Sequence, residues 1–139
     1  MQSEMTSEKR AMWIEKTRVR WGDMDALGHV NNIVYFRYME QARISWFDSL
    51  GIVVAADPGP VIVSASCNFT RAIVYPAEVA ISVRCGRPGR SSFPIYHEIY
   101  AAGDATLRYA DGEATIVWVD HRAGKSTPLP ENLRALLET

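Results

Sequence analysis

Two aspartates, a histidine and two asparagines crowd into one short stretch, WGDMDALGHVNNIVY, at residues 21–35. A carboxylate such as Asp25 can attack a carbonyl carbon or draw a proton from water. Gly28 permits a sharp turn, and an apolar, periodic segment begins about seven residues after Asp25. That spacing can place Asp25 beside the unpaired amides of a helix start. Such amides favour negative charge and could stabilise an oxyanion that develops in a reaction. A carboxylate next to an oxyanion-binding helix end is the minimum equipment for hydrolysing an acyl bond. Asp25 could equally cap its own turn through local backbone bonds.

The neighbours divide into helpers and braces. Asp23 and Asp25 form an Asp-x-Asp pair, but nothing nearby completes the oxygen shell of a hard cation, so no metal is expected. Asp23 is expected to hold the loop by hydrogen bonds. His29 could exchange protons near neutral pH or simply support the turn. Asn31 and Asn32 suit a helix cap. Tyr35 is expected in the core with its hydroxyl towards the loop. Glu40 is expected either on the surface, paired with Arg37 or Arg43, or as a second carboxylate near the site. Gly-x-Ser-x-Gly, Gly-x-Gly-x-x-Gly and P-loop patterns are absent.

The elements that must position this loop follow from periodicity. Residues 13–21 alternate as a half-covered or edge strand. Residues 33–50 predict a helix, with Tyr35, Met39, Ala42, Trp46 and Leu50 at steps of three and four. After it, strand patterns dominate. The first should put Val61, Val63, Ala65, Cys67 and Phe69 on one face, and the next Val79, Ile81, Val83 and Cys85. Two more strands follow the turn at 87–90. Hairpin signals at 101–105 and 110–112 compete between them, and Gly112 could instead lie inside one long strand. A short terminal helix starts near Pro130. No strand–helix–strand repeat appears, so an antiparallel sheet covering one long helix, an α+β fold, is the economical arrangement. Tyr96, Tyr100, Ile62 and Ile116 are expected on the uncovered face, which argues for a partner subunit.

Composition narrows the function classes. The 139 residues suit one domain, expected over 13–139 after a flexible stretch at 1–12. Lys plus Arg is 15 against 16 Asp plus Glu, which gives no bulk charge for nucleic acid. No run approaches a membrane span and the polar start lacks a signal-peptide core, so a cytoplasmic protein is expected. Cys67 and Cys85 sit in no metal-ligand spacing and are expected as buried, reduced thiols.

The stretch RWGDMDALGHVNNIVYFRYMEQAR closely resembles the signature of the 4-hydroxybenzoyl-CoA thioesterase-like acyl-CoA thioesterases of the hotdog-fold superfamily. Trp21, Asp23, Asp25, Gly28, His29, Val30, Asn31, Asn32, Tyr35, Glu40, Ala42 and Arg43 all match its pattern. Looser similarity runs through Tyr75-Pro76 and the tail ending near Pro130. The resemblance implies a long helix wrapped by an antiparallel sheet of five or six strands, with the hairpin turn near Gly103 and Gly112 inside the last strand. It implies homodimers or homotetramers with active sites between subunits, and no cofactor. It implies that Asp25 is nucleophile or general base on an acyl-CoA thioester and that amides at about Val30 to Asn32 polarise the carbonyl. Arg71, Arg87 and Arg90 are candidates for the coenzyme A phosphates. Tyr35 and Glu40 stand beside them as substrate-side candidates. The alternatives are hydrolysis on an acyl-carrier protein, or non-catalytic binding of an acyl-CoA. "AEVAISV", where many relatives carry an Asp before the strand, and the spacing of "AAGDATLRYA" depart from the family pattern. Both departures put the substrate, more than the reaction, in question.

Overall fold

The computed structural model describes residues 11–139. Of the stretch expected to be flexible, 1–12, residues 1–10 lie outside the described ones, while the Met12 amide donates to Val83 O at 2.7 Å and extends the first strand's ladder.

The helix α1 spans Asn32–Ser49, one residue earlier at each end than periodicity predicts. Asn31 is its cap: the side chain accepts from the Ile33 amide. Tyr35, Met39, Ala42 and Trp46 form the expected stripe, and each is buried. Tyr38, Arg43 and Phe47 widen the buried face. Each large apolar side chain there contributes about 1.5–3 kcal/mol by leaving water.

Six strands receive that face: β1 (Trp13–Arg18), β2 (Gly59–Phe69), β3 (Glu78–Cys85), β4 (Ser92–Ala101), β5 (Asp104–Asp120) and the short β6 (Lys125–Ser126). The order is β1-β3-β4-β5-β2 with β6 on β5, and every pairing is antiparallel. α1 lies against β1 and β3 and also touches β2 at the opposite edge, so the sheet curves around it. A second helix, α2 (Glu131–Leu137), buries Leu133 and Leu137. No helix among the described residues is long and apolar enough to cross a membrane.

The hairpin turn falls at 102–103, and Gly112 lies inside β5, opposite Cys67 and His97. Its lack of a side chain is required: a Cβ there would sit 2.7 Å from both Met39 Sδ and Ser66 O. The helix and the edge strand therefore close over Gly112.

Four expectations need correction. Residues 19–21 leave the strand, and Trp21–Asp23 form a 3-10 turn. The face assigned to Val61, Val63, Ala65, Cys67 and Phe69 is split, because the β2–β5 register shifts between Ile62 and Ser64. Val63 is the extra residue, so Ala65, Cys67 and Phe69 turn to the helix side while Val61 turns away. Ile116 is fully buried on the helix face rather than outside, and Ile62 pairs with it. Tyr96 and Tyr100 do lie on the outer face, among ion pairs: Glu98 meets Arg84 at 3.5 Å and Arg108 at 3.1 Å, and Arg108 reaches Asp111 at 3.6 Å. Finally, Arg43 is 8% exposed and turns into the core instead of pairing on the surface.

Arg43 finds His97 there. Between the paired stretches of β3 and β4, side chains take over backbone bonds: Glu98 N donates to Ser82 Oγ and the His97 ring bonds Ser82 O. A carbonyl only accepts, so His97 Nδ1 carries the proton; Nε2 is then the lone pair that accepts from Arg43 Nη1 at 3.1 Å. Burial, and then the Arg43 charge, lower the His97 pKa to about 3. The unfolded ring titrates near 6.5, so the unfolded state binds the extra proton between pH 6.5 and 3 and stability falls as pH drops through that window. We expect a loss from this ring of about 2 kcal/mol at pH 5 relative to pH 7. His97→Gln keeps an acceptor for Arg43 and should flatten this acid limb in urea titrations. An equally steep limb in the variant would remove His97 as its cause. Gly112→Ala should destabilise by about 1–3 kcal/mol through overpacking against Met39 and Ser66; an unchanged melting temperature would contradict the close approach.

Candidate active site

The loop before α1 is a small hairpin. The Val19 amide donates to Ala77 O, which holds the chain beside β3 as β1 ends. Met24 and Val30 form an antiparallel bridge. Asp25 N donates to His29 O at 2.9 Å and Gly28 N to Asp25 O at 3.0 Å. Gly28 closes the turn at φ 82°, where a side chain is strained. Asp25 Oδ1 accepts from the Leu27 amide at 2.9 Å, so the turn-capping role is real. Among the described residues Oδ2 makes no hydrogen bond, which leaves half of the carboxylate for a second task.

The helix start shows the same division. A helix N-terminus carries amides with no intrahelical acceptor. Val30 N donates to Ile73 O at 2.8 Å, and Asn31 N to Asp23 O at 3.0 Å. Ile33 N goes to Asn31 Oδ1 at 3.0 Å and Val34 N to Asn31 O at 2.8 Å. Among the described residues only the Asn32 amide of this run has no acceptor. Of the amides expected at Val30 to Asn32, two are therefore engaged, and Asn32 is the one with no acceptor among the described residues.

Asp25 and Asn32 share a cavity of about 350 Å³ with Leu27, His29, Val30, Tyr35, Phe69 and Arg71. Its apolar wall is Tyr35 against Phe69, ring centroids 5.0 Å apart and edge-on, with Phe36 behind at 6.4 Å. Tyr35 Oη donates to Arg71 O at 3.2 Å, and burial, before any other cause, raises its pKa. His29 is exposed on the cavity's lip. Cys67, half-buried on β2, has its thiol pushed up to about 11 by burial and then by Asp111, so it is no nucleophile at neutral pH.

Not every candidate meets here. Glu40 opens instead onto a separate groove of about 730 Å³ between α1 and β1, with Lys16, Arg18, Arg37 and Tyr38. Arg87 and Arg90 lie in the β3–β4 turn. The loop contacts the chain just before Glu78, at the other end of β3, about 23 Å away at ~3.3 Å per residue. Arg134 Nη2 holds that turn by donating to the carbonyls of Gly89 and Arg90.

Two features escape sequence reasoning. Phe69 as a cavity wall depends on the bulge at Val63, which has no local signature. Tyr38 donates to Asp23 Oδ2 at 2.7 Å, fifteen residues back in the chain; the pattern shows only that Tyr38 is on the helix. Asp23 does brace the loop, as its spacing suggested, accepting from Arg20 N at 3.0 Å as well.

A family model described as the thioesterase-like superfamily matches residues 19–137. The chain is similar to the PA2801 protein of Pseudomonas aeruginosa: 38% identity, 92% of this chain and 99% of that one covered, TM-score 0.87. It is also similar to a thioesterase of Thermus thermophilus solved with coenzyme A and zinc, at 33% identity over 94% of this chain and all of that one, TM-score 0.78. YsmA of Bacillus subtilis, a curated relative described as uncharacterised, is 30% identical over 86 residues; the match spans 61% of this chain and 58% of that protein.

Loss of the cap is a direct test of the helix start. Asn31→Ala should destabilise the protein by about 1 kcal/mol, read as a lower urea midpoint, and Asn31→Ser should recover most of it. Equal stability of all three proteins would show that the Ile33 amide needs no cap.

Proposed function

The chain belongs to the thioesterase-like superfamily, and on that premise we propose that it hydrolyses an acyl-CoA to a free acid and coenzyme A. The observation that carries this reading is the pairing, in one cavity, of a carboxylate oxygen and a helix-start amide that both lack a partner among the described residues. The Thermus thioesterase in complex with coenzyme A supports the choice of thiol carrier.

The thioester carbonyl oxygen accepts from the Asn32 amide, which polarises the bond. Asp25 then acts in one of two ways. As general base it takes a proton from water, and the hydroxide adds to the carbonyl carbon. As nucleophile it adds directly, and water later opens the resulting anhydride. Either route puts negative charge on the carbonyl oxygen, where the amide and the helix dipole stabilise it before adding charge costs any reorganisation. Collapse breaks the carbon–sulfur bond and releases the coenzyme A thiolate, which takes up a proton.

The other residues support this geometry. Gly28 shapes the turn, and the Val30 and Asn31 amides tie it down. Tyr35 forms the wall beside the acyl group. His29 stands at the lip, where it can meet the thiol arm. Arg71 lines the cavity and supplies positive charge for a phosphate. Arg87 and Arg90 contribute from a second copy in a homodimer or homotetramer, because β3 separates them from the site in their own protomer. Exposed Leu27 and Phe69, which line the cavity, favour such a cover. Glu40 faces the other groove and is left a minor role.

The test is a panel of short, long and aromatic acyl-CoAs with detection of free thiol, alongside the matching acyl-carrier-protein substrates. At least one acyl-CoA should be hydrolysed faster than its carrier-bound form. Asp25→Asn should lower its kcat by about 100-fold or more. An active Asp25→Asn would sink the assignment, and binding without turnover would point to a non-catalytic protein.

A further inference from the structure

Asp23 is tied to α1 at two places. Its carbonyl accepts from Asn31 N, at the cap, and its carboxylate accepts from Tyr38 Oη at 2.7 Å. The two helix positions they start from, 31 and 38, are about 10 Å apart along the axis at ~1.5 Å per residue, and the Tyr38 side chain reaches back across that span. The Met24–Val30 bridge and the Asp25–His29 bond hold the turn at its own base. The Tyr38 bond adds a side-chain tie from Asp23 to the body of the helix, beyond the cap. Asp25 follows Asp23 by two residues, and Asn32 follows Asn31 by one. The same pair of bonds therefore joins the bonds within the turn in setting where the carboxylate stands relative to the Asn32 amide.

We infer that Tyr38 is a positioning residue: acting through Asp23, its hydroxyl holds the Asp25 turn in register with the Asn32 amide. This rests on the roles of Asp25 and Asn32 proposed above. Tyr38 does not touch the reaction cavity; it lines the separate groove on the β1 side. Tyr38 is buried, and the bond gives its hydroxyl a partner as well as joining the loop to the helix. The Asp23 side chain is only 12% exposed and also receives the Arg20 amide. Its orientation is thus set from the loop side and completed from the helix side. Burial first, then the neighbouring carboxylate, drives the Tyr38 phenol far above its usual pKa, so it remains a donor at any working pH.

The experiment measures kcat and KM separately on the best acyl-CoA of the panel, for Tyr38→Phe, Asp23→Ala, their double variant and Asp23→Asn. Tyr38→Phe keeps the packed ring and removes one oxygen. It should lower kcat about tenfold with KM within about twofold, since misplacement of a catalytic group slows the step without weakening binding. In the Asp23→Ala background, Tyr38→Phe should cause no further loss, because its acceptor is gone. Asp23→Asn retains an acceptor oxygen and should keep more activity than Asp23→Ala. Losses that multiply in the double variant, or a Tyr38→Phe enzyme with wild-type kcat while Asp25→Asn is inactive, would overturn the inference and leave the reaction assignment standing. An active Asp25→Asn, or no hydrolysis of any acyl-CoA by the wild type, overturns both. Should Asp23→Ala fail to fold by circular dichroism, the kcat-against-KM split of Tyr38→Phe and the Asp23→Asn activity still decide.

Discussion

One helix has to fill the whole concave face of the sheet. No other long helix exists among the described residues, so the burial of α1 is the constraint from which the rest follows. Its stripe of Tyr35, Met39, Ala42 and Trp46 can leave water only if the sheet bends towards it from both edges. The bend is visible in particular residues. Gly112 lets Met39 and β2 approach β5 at the centre, and the bulge at Val63 rotates the rest of β2 so that Phe69 meets Tyr35 and Phe36. Phe69 is thereby both a closing contact of the core and a wall of the candidate site. Packing and site formation are the same event at that edge.

The second consequence concerns the helix ends. A buried helix that starts at a sheet edge must satisfy its first amides locally. Here Asn31, Asp23 and Ile73 take them one by one, and among the described residues a single donor at Asn32 remains. The unpaired amide is concentrated where a carboxylate of the same loop also keeps an uncommitted oxygen. Loop and helix are held by short-range bonds that would form for stability alone. What the arrangement adds is a gap in the pattern, at one donor and one acceptor.

The core contains an opposite economy, in which a charge is buried and then matched. Arg43 would be unfavourable under the sheet without an acceptor, and His97 provides one only while it stays neutral. The ring is oriented by Ser82 O at a place where β3 and β4 have given up their regular ladder. A helix residue that reads as surface charge is thus part of the interior, because a strand residue far along the chain offers a lone pair at the right height.

Much of this architecture is local in origin and therefore legible. The period of α1, the alternation of β3, the turn residues and the Asn31 cap are set by spacing within a few residues, and the loop WGDMDALGHVNNIVY carries enough matching positions to suggest its chemistry. The sequence by itself thus determined the elements, their order and the residues worth watching. The three-dimensional packing decided which amide stays free, that Asp23 leans on Tyr38, that Glu40 and Arg71 open onto different cavities, and that Ile116 and Arg43 face inward. Each of those depends on contacts between residues distant along the chain. One extra residue at Val63 reverses a strand's faces, and a hydrogen bond is formed or missed over a fraction of an ångström. Periodicity cannot carry information of that kind, because it records the order of side chains and not the register in which the sheet closes around the helix.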